Sequence, residues 1–164
     1  MVWRLLTVLA VLCTLAQPLA ASPKGAPVTA PALRLPAGDS TIDLAALRGS
    51  PVIVDFWASW CVPCRSSFPW LAKMSGKYAA KGLKVIAVNL DKDRAAAAAF
   101  LEEVPAPFTV AYDPAGKTAE AFKVKAMPST FLVSRSGTIV YSHAGFDLRK
   151  TDGFESRIEE ACER

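Results

Sequence analysis

Histidine is almost absent from this chain and cysteine is scarce: 164 residues carry one His and four Cys. A four-ligand zinc site built on one Cys pair needs two further ligands. Only Cys162 and His143 remain for that beyond the first 21 residues, with no second paired spacing, so no metal is expected. A strong charge imbalance is also missing. The formal net charge is +4, the Lys and Arg residues are scattered, and no basic run forms, so no nucleic-acid partner is expected. There is no internal repeat and no sign of a second domain. The one long apolar run, Leu5–Ala16, is interrupted by Gln17 and Pro18 well short of the ~20 residues that span a bilayer. The cysteines do not form the even, widely spaced set of an exported protein stapled for stability.

What is present begins with a leader. Met1–Arg4 are positive, Leu5–Ala16 apolar, and Pro18-Leu19-Ala20-Ala21 a small-residue exit. This is the pattern of a secretory signal peptide over residues 1–21, cleaved near Ala21. Leu12 is too bulky for the position before a lipidated Cys13, and no twin-Arg pair is present, so a soluble protein exported unfolded is expected. Residues 22–32, with Pro23, Pro27 and Pro31, read as a flexible Pro/Ala-rich linker. Residues 33–164 then make one domain of ordinary size. Cys162, near the chain end, is expected to be a partly buried apolar residue of a terminal helix, the alternative being a free thiol that forms mixed disulfides.

Within the domain, Leu33–Leu35 and Thr41–Leu44 flank Pro36–Ser40 as a small hairpin. Val52–Trp57 is a continuous apolar strand, buried on both faces. A helix runs from Cys61 to about Ala80 with Phe68, Leu71, Met74 and Tyr78 as its apolar stripe, and Pro69 should kink it. Leu83–Leu90 is a second buried strand, and Asp91 or Asp93 caps the Ala-rich helix that follows. Phe108–Tyr112 is a short strand, Gly116–Val124 a short helix, Thr130–Ser134 and Thr138–Ser142 a hairpin, and Asp152–Cys162 a closing helix. Strand–helix alternation ending in a hairpin predicts an α/β domain with a mixed sheet covered by helices.

Chemistry concentrates where Val52–Trp57 runs into Trp60-Cys61-Val62-Pro63-Cys64. Two thiols at this spacing on a helix start can close a small ring and trade a disulfide with a partner. The positive end of the helix dipole favours the thiolate of Cys61, which is expected to be exposed and to attack, while the shielded Cys64 resolves the mixed disulfide. Trp60 offers a flat apolar surface for a partner. Asp55, in the middle of the strand, would be desolvated, so its pKa should rise and it could exchange a proton with Cys64; the bland alternative is a hydrogen-bonded or solvated carboxylate. Met127-Pro128-Ser129-Thr130 precedes a strand and suits a cis peptide bond that presents the backbone of Met127 to an extended substrate; the alternative is an ordinary trans Pro. His143, a lone histidine at a strand end, is assigned no role.

These residues resemble the thioredoxin superfamily, and within it the exported branch of TlpA- and ResA-like proteins. The likeness spans roughly Leu33–Glu160. It rests on Phe56-Trp57-Ala58-Ser59-Trp60-Cys61-Val62-Pro63-Cys64-Arg65, on Pro69, on Met127-Pro128-Ser129-Thr130-Phe131-Leu132 and on Gly145. It implies a thioredoxin-like mixed β-sheet flanked by helices, with an N-terminal β-hairpin and a central αβ insertion between Asp93 and Tyr112. It implies a periplasmic thiol–disulfide oxidoreductase in which Cys61 attacks, Cys64 resolves and Pro128 touches the substrate. Trp60, Val62, Pro63 and Met127 are expected to share that contact surface. Several relatives carry a Glu three residues after the second Cys, used in proton handling, where this chain has Ser67; conversely, Asp55 matches the buried acid of thioredoxin itself.

The reading that follows is a reductase of partner-protein disulfides, for example in cytochrome c or copper-site maturation. Its partners would be disulfide- or thiol-bearing envelope proteins, and a membrane electron donor would re-reduce it. A monomer is expected, with no cofactor beyond the Cys61–Cys64 disulfide. The alternatives are a disulfide oxidase or isomerase, and a Cu(I) carrier using both thiols as soft ligands. Val62-Pro63 differs from the Gly-Pro of thioredoxin and the Pro-His of strong oxidases, so the direction of electron flow does not follow from the motif.

Overall fold

Six apolar residues in a row, Val52–Trp57, form strand β4, and all six are buried. A strand hidden on both faces must be central, and the sheet is built around it. The computed structural model describes residues 28–31 and 34–164; the signal peptide expected over 1–21 lies outside them. In chain order the elements are β1 (Val28–Thr29), β2 (Arg34–Ala37), β3 (Ser40–Asp43), β4, α1 (Val62–Tyr78), β5 (Lys84–Asn89) and α2 (Arg94–Glu103). They continue with β6 (Thr109–Tyr112), α3 (Lys117–Ala121), β7 (Ser129–Val133), β8 (Thr138–Ala144) and α4 (Thr151–Glu163). The main sheet has the order β1-β8-β7-β4-β5-β6, and β2–β3 form a separate two-stranded hairpin. β5 runs parallel to β4 and β6 parallel to β5, whereas β7 is antiparallel to both β4 and β8. The parallel pairs need crossovers, which α1 and α2 supply. This is the expected mixed thioredoxin-like sheet, with the leading hairpin and with α2 and β6 as the insertion.

Alternation along β4 divides the core. Ile53 and Trp57 face one layer with Phe68, Leu71 and Met74 of α1, Phe100 of α2, Leu132 of β7, and Phe154 and Ile158 of α4. Val54 and Phe56 face the other, with Leu35, Ile86, Val88, Ala119 and Phe122. Asp55 lies between Ile53 and Trp57 on the side covered by α1 and α4, and it is fully buried. α1 continues through Pro69, whose missing N–H leaves the Arg65 carbonyl without its helical donor.

One expectation needs correction, and one pair of alternatives is resolved. Within the span expected to be a flexible linker, Val28 and Thr29 pair antiparallel with Ile139 and Thr138, and the Ala30 N–H donates to the Gly137 carbonyl. The open edge of β8 offers unpaired backbone groups, and these outweigh the low strand propensity of a Pro-rich segment. Of the two candidate caps for α2, Asp93 is the one used: its side chain accepts from the Ala95 N–H. Asp91 has another task, described below. No helix among the described residues is long and apolar enough to cross a membrane.

Candidate active site

Cys61 is the N-cap of α1, with extended backbone at φ −82° and ψ 98°, and Pro63 occupies the first turn. Pro is tolerated there because its missing N–H would have no helical partner. No acidic side chain stands in that turn, so nothing offsets the positive end of the dipole beside Cys61. The Cys64 N–H donates to the Cys61 carbonyl at 3.1 Å, and the two side chains are joined as a disulfide with Cα atoms 5.3 Å apart. Trp60 and Val62 are 69 % and 76 % exposed, whereas Cys61 is 4 % and Cys64 0 % exposed. The expectation that Cys61 stands exposed is therefore corrected. Its sulfur is turned inward against Cys64, and the flanking Trp60 and Val62 stand proud of it. The grading between the two cysteines remains, with Cys64 fully enclosed.

A buried aspartate holds the approach to this helix. Asp91 accepts from the Ser59 N–H at 2.8 Å, the Ser59 hydroxyl at 3.0 Å and the Asn89 side-chain amide at 2.7 Å. Ser59 lies two residues before Cys61, so Asp91 fixes the loop on which the cysteine is carried. Hydrogen bonds to a charged group contribute about 1.5–3 kcal/mol each, and their loss here strands buried donors. Asp91→Ala should lower the unfolding free energy by about 3 kcal/mol in a urea titration and slow exchange at Cys61; unchanged stability would make the network incidental.

β7 pairs antiparallel with β4 with Ser129 opposite Phe56, so the residues just before Ser129 lie beside the end of β4 that leads to Cys61. Met127–Pro128 is a cis peptide bond at that place, as expected from the sequence. Pro128 is buried and Met127 half-buried, packed against the cluster that contains both cysteines. The loop is held from two sides: the Gly145 N–H donates to the Pro128 carbonyl at 2.7 Å and the Ser129 hydroxyl to the Ala126 carbonyl at 2.6 Å. The helix start with Trp60, Val62 and Pro63 and the loop with Met127 and Pro128 thus lie at the same end of the sheet.

Asp55 is opposite Thr130 in the β4–β7 ladder, and the Thr130 hydroxyl donates to Asp55 Oδ1 at 2.6 Å. Asp55 Oδ2 has no partner. Burial pushes the Asp55 pKa up from 3.8 to about 7, with the Thr130 hydrogen bond opposing the shift. A carboxyl in this range can take or give a proton near neutral pH. Ser67 is buried and donates to the Cys64 carbonyl at 3.1 Å, so Asp55 is the acid that the sheet places beneath α1. Thr130 escapes sequence reasoning because nothing in Met127–Thr130 signals a partner 75 residues away. Cys162 is buried on α4 and unpaired among the described residues, and burial pushes its thiol pKa up.

The model of the Redoxin family matches residues 23–160. The thiol-disulfide oxidoreductase ResA of Oceanobacillus iheyensis is 33% identical over 100 residues, covering 61% of this chain and 52% of that protein. A thiol:disulfide interchange protein DsbE homolog of Paracoccus denitrificans is 40% identical over 112 residues, covering 66% of this chain and 60% of that one. The chain thus spans about half to three-fifths of these relatives' lengths. Among solved structures, a candidate thiol:disulfide interchange protein DsbE from Chlorobium tepidum superposes with a TM-score of 0.81 at 46% identity, covering 83% of this chain and 96% of that one.

Proposed function

Because the chain belongs to the Redoxin family, we propose that it is a thiol–disulfide oxidoreductase working through Cys61 and Cys64. The observation that carries this reading is the Cys61–Cys64 disulfide at the start of α1, over a buried acid and beside the Met127–Pro128 loop. In the reducing direction, the Cys61 thiolate attacks one sulfur of a partner's disulfide. One partner thiolate leaves, and a mixed disulfide to Cys61 forms. Asp55 takes the proton of Cys64, and the Cys64 thiolate attacks the Cys61 sulfur, releasing the second partner thiolate and closing the Cys61–Cys64 bond. Two electrons pass to the partner. The same steps run backwards when the protein oxidises a dithiol.

The favoured direction is electron donation to disulfides of exported proteins, such as those that receive haem or copper, with a membrane carrier restoring the dithiol. Export is supported by the leader pattern of residues 1–21, and thiol–disulfide exchange by the names of the relatives. A redox titration of the pair against glutathione tests the direction. Potentials run from about −270 mV for thioredoxin to about −120 mV for a strong periplasmic oxidant. A value below about −200 mV supports the reductase, and one above about −150 mV makes the protein a net oxidant or isomerase.

Trp60 and Val62 form the exposed apolar rim of the site, and an extended partner segment would lie between them and Met127–Pro128. Trp60→Ala is expected to lower kcat/KM for a protein disulfide such as insulin by about tenfold, because buried aromatic contacts dominate such interfaces. Stability should stay within about 0.5 kcal/mol, as at most surface positions. An unchanged kcat/KM would remove Trp60 from the contact surface.

A further inference from the structure

Asp55 is enclosed at the centre of the sheet, so any proton it exchanges needs a way out. The strand register supplies one. Asp55 pairs with Thr130 across β4–β7, and Thr130 pairs with His143 across β7–β8. Directly paired residues share a sheet face, so the three side chains lie in one row on the side covered by α1 and α4. The row leads outward from the fully buried Asp55 through the nearly buried Thr130 to the half-buried His143. Thr130 bridges two environments. Its hydroxyl donates to Asp55 Oδ1, and its side chain also lines a cavity of about 20 Å³ shared with His143, Ser67 and Tyr141. That volume has room for about one water molecule.

We propose that Thr130 and His143 form the proton route between Asp55 and solvent, with the Thr130 hydroxyl as the inner relay and the His143 imidazole as the outer acceptor. The inference rests on the exchange chemistry proposed above. The carboxyl of Asp55 passes its proton to the Thr130 oxygen while the Thr130 hydroxyl hydrogen moves to the cavity water, which hands a proton to His143 and then to bulk solvent. Thr130 is unchanged at the end, and the carboxylate is regenerated for the next Cys64 proton. The charged and titratable groups around His143 are few. Asp147 and Lys150 face the cavity from the segment leading into α4, with Asp147 held by Arg149 at 3.0 Å. Tyr141 lies on β8 itself, and α1 contributes only Ser67, Trp70 and Leu71. Ser142, His143 and Ala144 also border a surface cleft with Phe131, Lys123 and Lys125 on the opposite face of the sheet. His143 is the one imidazole in this set, and its ring carries both a donor and an acceptor nitrogen in the neutral form.

The test is the rate at which the reduced protein turns over 2-hydroxyethyl disulfide, measured in dilute buffer and again with added imidazole. Thr130→Val, which keeps the shape and removes the hydroxyl, should lower the rate at least tenfold, with a changed solvent deuterium isotope effect and no recovery in imidazole. Thr130→Ser should restore most of it. His143→Gln should also lower the rate about tenfold in dilute buffer, and imidazole should rescue it, because the break then lies at the solvent end. A loss in His143→Gln that imidazole cannot rescue would overturn the acceptor role. Wild-type rates and isotope effects in both variants would overturn the route as a whole. An inert wild-type protein would instead overturn the exchange reading itself, so the two failures are distinguishable.

Discussion

Asp55→Asn should raise the unfolding free energy of the oxidised protein by about 4 kcal/mol more at pH 8 than at pH 3. Burial moves this carboxyl from 3.8 in the open chain to about 7 in the fold, a little over three pH units at about 1.4 kcal/mol each. Below pH 3.8 the group is protonated in both states and costs nothing differential. As pH rises towards 7 only the unfolded chain gives up its proton, so the folded state loses ground, and above 7 the full cost is present. Asn keeps an acceptor for the Thr130 hydroxyl and has no charge to desolvate. In the disulfide form Cys61 and Cys64 do not titrate, so urea titrations of that form at the two pH values isolate Asp55. The same substitution removes the base for Cys64 and should slow resolution of the mixed disulfide by about a hundredfold. Stability gained and rate lost in one variant is the signature of a buried acid kept for chemistry. An equal effect at both pH values would demote Asp55 to a structural group.

The second large effect separates the two cysteines. Cys61→Ser should reduce exchange to background, since no other thiol stands at the helix start; Cys162 is buried on α4 with its thiol pKa raised. Cys64→Ser should instead accumulate a covalent complex, because the attacking sulfur is intact and the resolving one is gone. Non-reducing gels and intact mass read the difference directly, and the trapped adduct identifies the partner. Full activity retained in both variants would refute the assignment of roles.

Much of this was legible in the chain because it is encoded locally. The unbroken apolar run Val52–Trp57 marks a central strand, and the structure returns those same bounds. Cys61-Val62-Pro63-Cys64 marks a helix start, since Pro in the first turn costs no helical hydrogen bond. The hairpin around Gly38 follows from turn chemistry, Gly38 standing at φ +60° where a side chain would be strained. What escaped depends on pairing across the fold. Val28–Thr29 joins the sheet only because β8 has an open edge beside it. Asp91 looks like a helix cap beside Asp93, and only the fold reveals Ser59 as its partner. The row Asp55–Thr130–His143 arises from two strand registers, and register is not written in any one strand. The low exposure of Cys61 likewise reflects which way its sulfur turns, a property of the closed ring rather than of the motif.

The account depends on a reactive sulfur at the start of α1. The most direct measurement is the rate of iodoacetamide alkylation of each cysteine in the reduced protein as a function of pH, mapped by peptide mass. Cys61 should react first and titrate well below the free-thiol value of about 8.5, with Cys64 and Cys162 slow under the same conditions. A Cys61 that stays unmodified at pH 7, or that titrates no lower than a free thiol, would contradict the account.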